Sequence, residues 1–164
     1  MDLTIVGCGY VGLALAERLQ PRRPQQKLTL TTTSSERLEQ LNPLADRVQI
    51  CDATDPTQLL DALRQSNSAV FCLGPKGDRQ VDANGYRHTF VDSFRCLTSL
   101  LPQLPELRQI VYTGSCSVYG DAEGNWVDEQ TPPEPGRGHG DVLLEGEQLL
   151  KGIGNRRVCI LRLG

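Results

Sequence analysis

Three glycines spaced Gly7-x-Gly9-x-x-Gly12 suit backbone contact with the pyrophosphate of a dinucleotide. The first makes a tight turn, the second lets backbone approach the phosphates, and the third lets a helix pack closely on a strand. The phosphates then meet the free N–H groups and the positive dipole end of that helix. Tyr10 and Val11 lie between the second and third glycines and belong to the same candidate site. The chain has 16 Gly, so a chance match is easy, and it is the setting that makes this one specific. Leu3 to Val6 is a β-branched run directly before the loop, and Leu13 to Leu19 reads as a helix directly after it.

A domain that binds NAD usually offers an Asp or Glu to the ribose hydroxyls at the end of its second strand. That turn here is Thr31-Thr32-Thr33-Ser34-Ser35, and no carboxylate occurs before Glu36. Thr32, Thr33, Ser34 and Arg37 can instead receive a 2′-phosphate, so NADP is expected in preference to NAD. Asp52, directly after the third strand, can accept from an adenine amino group or serve as an ordinary loop carboxylate. Leu73 and Gly74, where the fourth strand ends, complete the candidate cofactor set. The other dense region is Val111-Tyr-Thr-Gly-Ser-Cys-Ser-Val-Tyr-Gly-Asp121, with hydroxyls at Ser115 and Ser117.

Strand and helix signals alternate along the chain to position these groups. Lys27 to Thr33 reads as the second strand, Val48 to Cys51 as the third, and Ala69 to Leu73 as the fourth. Gln109 to Tyr112 and Val158 to Leu163 read as the fifth and sixth. Thr33-x-x-Glu36 has the form of a capping box opening a short helix to Leu41. Asp55-Pro56 pairs an N-cap with a proline at the first helical position. Gly74 to Asn84 reads as a polar loop, and Tyr86, Phe90, Phe94 and Leu97 then recur at helical spacing as a core face. Gly120 to Gly140 is a long loop, and Asp141 to Leu150 a helix. The expected fold is α/β, a doubly wound parallel sheet (Rossmann fold) of six strands in the order 3-2-1-4-5-6.

Composition narrows the partners. Net charge is −3 without a long basic block, which points away from nucleic acid and anionic membranes. Arg22-Arg23, between Pro21 and Pro24, reads as a solvated loop. Residues 3–16 carry no charge, and Ala14-Leu15-Ala16 mimics a signal cleavage site. Asp2 in place of a basic start, with three glycines interrupting the apolar run, argues against a leader. The six Cys have no CxxC spacing and no neighbouring His, so no metal is expected. Cys51, Cys72 and Cys159 fall in apolar strand-like runs and are expected as buried, reduced thiols of a cytoplasmic protein. Cys116, between two serines, is the thiol whose reactivity matters.

With Asp52-x-x-Asp55 and the glycine loop, Ser115-Cys-Ser-Val-Tyr-Gly-Asp-Ala122 makes the chain resemble the extended short-chain dehydrogenase/reductases. These are the NAD(P)-dependent epimerase/dehydratase superfamily. Gly7 to Leu13 and Leu161-Arg-Leu-Gly164 carry a resemblance to its atypical YeeZ-like branch, over essentially the whole chain. The resemblance implies that Ser115 hydrogen-bonds the substrate's reacting oxygen, that Ser117 is the second hydroxyl of the loop, and that Tyr119 packs. It also implies a small substrate domain after Gly164, which makes residues 1–164 the NAD(P)-binding Rossmann domain. A homodimer is left open.

The family's acid is a Tyr, followed four residues later by a Lys, and a helical Glu usually follows that Lys by four. Counting back from Glu147 puts Leu143 in the place of the Lys and His139 in the place of the Tyr. Leu143 can supply neither charge nor a hydrogen bond. His139 has a side chain able to titrate near neutrality, but it sits in Pro135-Gly-Arg-Gly-His-Gly140 and reads as a solvated loop residue, an inefficient replacement. The leading expectation is an NAD(P)-dependent oxidoreductase or epimerase-like protein with a small, sugar-nucleotide-like substrate. A non-catalytic dinucleotide-binding or redox-sensing module is the alternative. A flavin or S-adenosylmethionine site also uses glycine loops, but the lack of an acid after the second strand weakens it.

Overall fold

The computed structural model describes residues 2–22, 26–75, 82–136 and 139–164. Arg22 ends a 3₁₀ turn (Gln20–Arg22), while Arg23 and most of the polar loop after Gly74 lie outside the described residues. Six strands pair in parallel in the order β3-β2-β1-β4-β5-β6. They are β1 (Leu3–Val6), β2 (Leu28–Thr32), β3 (Arg47–Ile50), β4 (Ser68–Phe71), β5 (Gln109–Ser115) and β6 (Arg157–Leu163). The expected order is the observed one. Helices α1 (Tyr10–Leu19), α2 (Leu38–Leu41), α3 (Pro56–Leu63), α4 (Ala83–Tyr86), α5 (Ser93–Leu100) and α6 (Gly140–Lys151) lie between the strands. A π-helical turn, Arg87–Asp92, joins α4 to α5.

Burial on both faces explains the apolar strands. One core contains Phe71, Phe90, Phe94, Leu97, Ile110 and Tyr112, and the other contains Ile5, Ala16, Leu28, Leu30 and Leu41. The Phe94 ring meets Phe71 at 5.7 Å and Tyr112 at 4.8 Å, both edge-on, a geometry that aromatic quadrupoles favour. The aromatic stripe is therefore core at Phe90, Phe94 and Leu97. The buried Thr4 hydroxyl is satisfied by the Ala62 carbonyl at 3.0 Å and the Ser66 hydroxyl at 2.6 Å. Asp55 caps α3 by accepting from the Thr57 and Gln58 N–H groups, with Pro56 in its first turn.

Several local expectations need correction. Helix α1 starts at Tyr10, three residues before the apolar pattern, because the glycine loop itself turns into the helix. No capping box forms at Thr33-x-x-Glu36. The Ser34 N–H instead donates to the Thr32 hydroxyl at 3.2 Å, and a 3₁₀ turn (Ser35–Arg37) precedes α2. Strand β5 runs on to Ser115, held by register pairs Thr113–Leu161 and Ser115–Leu163 with β6. Cys159 is exposed rather than buried, because β6 ends the sheet and alternates exposed and half-buried residues.

Candidate functional site

The carboxyl ends of the parallel strands open onto a cleft of about 620 Å³. Its floor is Gly7, Gly9, Tyr10 and Val11; Thr32, Thr33, Ser34 and Arg37 form one wall, with Asp52 beside them. Leu73, Gly74, Thr113 and Gly114 continue it along β4 and β5. Every predicted cofactor residue except Gly12 lines this cleft. Gly12 works from behind: a Cβ there would lie 2.7 Å from the Gly7 carbonyl oxygen and 3.2 Å from Ile5 Cγ2. Gly7 holds φ at +86°, which places the turn in the left-handed region, and its N–H donates to the Thr31 hydroxyl at 3.0 Å.

The loop fits a pyrophosphate on its own geometry. A Cβ built on Gly9 meets no atom within 4 Å, so the space above it is open cleft. No side chain caps α1, and no acidic residue stands in its first turn. The helix end is thus left to accept an anion. Cys8, inside the loop, is no competing nucleophile, because burial pushes its thiol up to about 12. Beside the wall of hydroxyls and Arg37, Asp52 Oδ1 accepts from the Thr54 N–H at 3.1 Å and from its hydroxyl at 2.8 Å. Thr32, Thr33, Ser34 and Arg37 themselves present no carboxylate, and Asp52 is the one carboxylate among the described residues lining the cleft.

A second cavity, about 570 Å³, adjoins the cleft and shares Leu73, Thr113 and Gly114 with it. Ser115 and Ser117, predicted from one motif, and His139, predicted from its spacing to Glu147, line it together. Ser115 Oγ accepts from the Ser117 N–H at 3.2 Å and from the Ser117 hydroxyl at 3.0 Å. With both lone pairs engaged, what Ser115 presents is its own hydroxyl proton. Its backbone role and its capacity to donate to a ligand oxygen are therefore compatible.

His139 is not a solvated loop residue. It immediately precedes α6, is half-buried, and stacks on the Tyr86 ring at 3.9 Å and 11°. Gly140 permits this approach, since a Cβ there would lie 2.7 Å from the Ser117 carbonyl oxygen. Leu143, in the place where the family carries a Lys, is buried in the cavity wall.

Behind this cavity lies a feature sequence reasoning did not find. Glu147 is 1% exposed and takes a two-point bond from Arg162, at 2.9 and 2.7 Å. Arg162 also donates to the Tyr119 hydroxyl at 2.6 Å, and Tyr119 in turn donates to the Asp128 carbonyl at 2.6 Å. The Glu147 carboxylate holds the Arg162 guanidinium well above its ordinary range. This chain ties β6, α6 and the turn after β5 together, and Tyr119 packs under the guanidinium at 4.7 Å. Tyr86, Tyr112 and Asp121 also line the cavity unforeseen; the helical spacing of Tyr86 had marked it only as core. Among the described residues no cluster of His, Cys, Asp and Glu could hold a metal ion. No described helix is long and apolar enough to cross a membrane.

The sequence matches the NAD dependent epimerase/dehydratase family over residues 3–164. The chain belongs to that family. Protein YeeZ of Escherichia coli K12 is 33% identical over 172 residues, a match that covers 98% of this chain and 57% of YeeZ. Among solved structures, UDP-glucose-4-epimerase from Stenotrophomonas maltophila, with bound NAD and formylated UDP-arabinopyranose, superposes with TM-score 0.83 at 16% identity. That match covers 99% of this chain and 52% of the epimerase. UDP-glucuronic acid 4-epimerase from Bacillus cereus, in complex with NAD, gives 0.77 at 20% identity, covering 99% and 56%. At such identities these two share the fold. The chain spans little more than half the length of these relatives.

Proposed function

We propose that this chain binds a nicotinamide dinucleotide, NADP in preference to NAD, and supports oxidation and reduction of a hydroxylated small molecule of sugar-nucleotide type. The observation that carries the reading is the cleft: an open glycine loop at an uncapped helix end, and a wall of Thr32, Thr33, Ser34 and Arg37 without a carboxylate. Gly7, Gly9 and the first turn of α1 would hold the pyrophosphate, and the hydroxyls with Arg37 would take a 2′-phosphate. Bound, the nicotinamide supplies a hydride acceptor or donor. Ser115 donates a hydrogen bond to the substrate oxygen and orients it, and the apolar wall of Leu73, Phe90 and Leu143 keeps water from that oxygen. The likeness in fold to two UDP-sugar 4-epimerases supports the substrate class.

Titration calorimetry with NADP⁺ and NAD⁺ tests the reading. NADP⁺ binds more tightly, and Arg37→Ala weakens NADP⁺ by about ten- to a hundredfold, the worth of a charge-assisted hydrogen bond, while sparing NAD⁺. Tighter binding of NAD⁺ by the unaltered chain overturns the preference. Buried Leu143, which cannot contact a ribose as a Lys does, favours a second reading: a dinucleotide-binding module without turnover. No substrate turnover by a cofactor-loaded protein, across UDP- and dTDP-hexoses, would support it.

A further inference from the structure

Resting on the cofactor reading above, we propose that His139 is the proton-transfer group of the second cavity, in place of the missing Tyr-x-x-x-Lys pair. Its ring lies flat on Tyr86, so its orientation is fixed by packing. Its Nδ1 is buried and has no hydrogen-bond partner in the protein. A buried ring nitrogen left unsatisfied is costly, and here it belongs to a residue lining a cavity with Ser115 and Ser117. Tyr112 Oη, in the same lining, is likewise buried and unpartnered. Both atoms are closed to solvent in this arrangement, so a ligand hydroxyl entering beside the serines reaches them only as the rings shift.

The charged and titratable surroundings suit an imidazole that gains and loses a proton. Tyr86 of α4 stacks on it, and Tyr112 of β5 is held protonated well above its ordinary range, first by burial and then by Glu147. Asp121, from the loop after β5, is the one carboxylate among the described residues lining the cavity. Asp141 stands two residues on, in the first turn of α6. None of them is a cation that would oppose an imidazolium.

In the oxidising direction, the substrate O–H bond breaks and its proton goes to the His139 imidazole. The carbinol C–H bond breaks with its electron pair leaving as hydride to the nicotinamide, and the C=O bond forms. The imidazolium then returns its proton to water; in reduction each transfer reverses. Ser115 keeps its proton throughout and holds the reacting oxygen.

Because the cavity joins the cleft at Leu73, Thr113 and Gly114, the His139 proton should sense the positive charge of an oxidised nicotinamide. Calorimetry of NADP⁺ and NADPH from about pH 8 to about pH 5.5 reads this coupling without any substrate. Phosphates are common to both forms, so their own titration cancels in the ratio of the two Kd values. That ratio, NADP⁺ over NADPH, rises about three- to tenfold on acidification in the unaltered chain. It stays flat in His139→Gln and still rises in His88→Gln, the control for the histidine that lines the cleft itself. NMR titration of the unaltered chain guards against a folding defect: the His139 ring titrates about half to one unit lower with NADP⁺ than with NADPH. A flat ratio with both forms bound, or a rise that His88→Gln abolishes, overturns the role of His139. Failure of both forms to bind overturns the cofactor reading, and the proposal falls with it.

Discussion

The two halves of the site are built on opposite terms. The cleft over β1 and β2 is made of backbone: Gly7, Gly9 and Gly12 do their work by lacking side chains. The cavity over β5 and α6 is made of side chains drawn together from distant segments, with Tyr86 on α4, Ser115 on β5 and His139 before α6. Backbone chemistry leaves a fixed spacing in the sequence. Side-chain chemistry of this kind is set by tertiary packing and leaves no such spacing. On the proposed reading, the first half would bind and the second would decide whether anything reacts.

Cutting the tie behind the cavity separates the halves most forcefully. Arg162→Met leaves Glu147 buried with only Lys151 at 3.5 Å, and is expected to cost about 3–5 kcal/mol in urea unfolding. The folded fraction still binds NADPH, because no atom of the glycine loop depends on Arg162. A loss below about 1 kcal/mol would mean the pair is only a surface contact. Equal loss of cofactor affinity would join the two halves that the geometry keeps apart.

Alkaline pH loads the other half. Burial pushes the Cys8 and Cys51 thiols from 9.0 up to about 12. Both are deprotonated more easily in the unfolded chain, so the stability they contribute is present below about pH 9. It declines as pH rises from there toward about 12. Urea midpoints are expected to fall across that window, and less steeply in Cys51→Ala than in the parent. A midpoint that holds level to pH ~11 would contradict the burial of these thiols. The smallest effect is a rate. Exposed Cys116 and Cys159 react first with a thiol reagent, and Cys8, Cys51 and Cys72 only as the protein opens. Slow reaction of Cys159 would show its face of β6 to be covered.

The strand order, the glycine loop and the cap at Asp55 were legible because each rests on a local rule with one structural outcome. The end of β5 was not: Thr113-Gly114-Ser115 has weak strand character, and pairing with β6 extends the strand regardless. The capping box at Thr33 failed because no α-helix begins there: a 3₁₀ turn at Ser35–Arg37 comes first and α2 starts only at Leu38. Cys159 misled because an apolar run reads alike in a central and a terminal strand. Ser115 and Ser117 were visible in their motif, whereas the stacking of His139 on Tyr86 joins segments that no local pattern connects. Glu147 was visible as a landmark for counting and invisible as the partner of Arg162.

The central claim is that the open space above Gly9 is where the pyrophosphate lies, and Gly9→Val tests it most directly. The new side chain meets no protein atom within 4 Å of its Cβ, but Gly9 sits at φ −76° and ψ −145°, outside the α and β regions, so a modest local strain is expected in a protein that still folds. NADPH fluorescence titration of parent and variant, each checked for its unfolding temperature, reads the outcome. The account predicts a folded variant with an unfolding temperature lowered by no more than a few degrees and a loss of affinity of about a hundredfold or more. A Gly9→Val protein that folds and binds NADPH as tightly as the parent would contradict it.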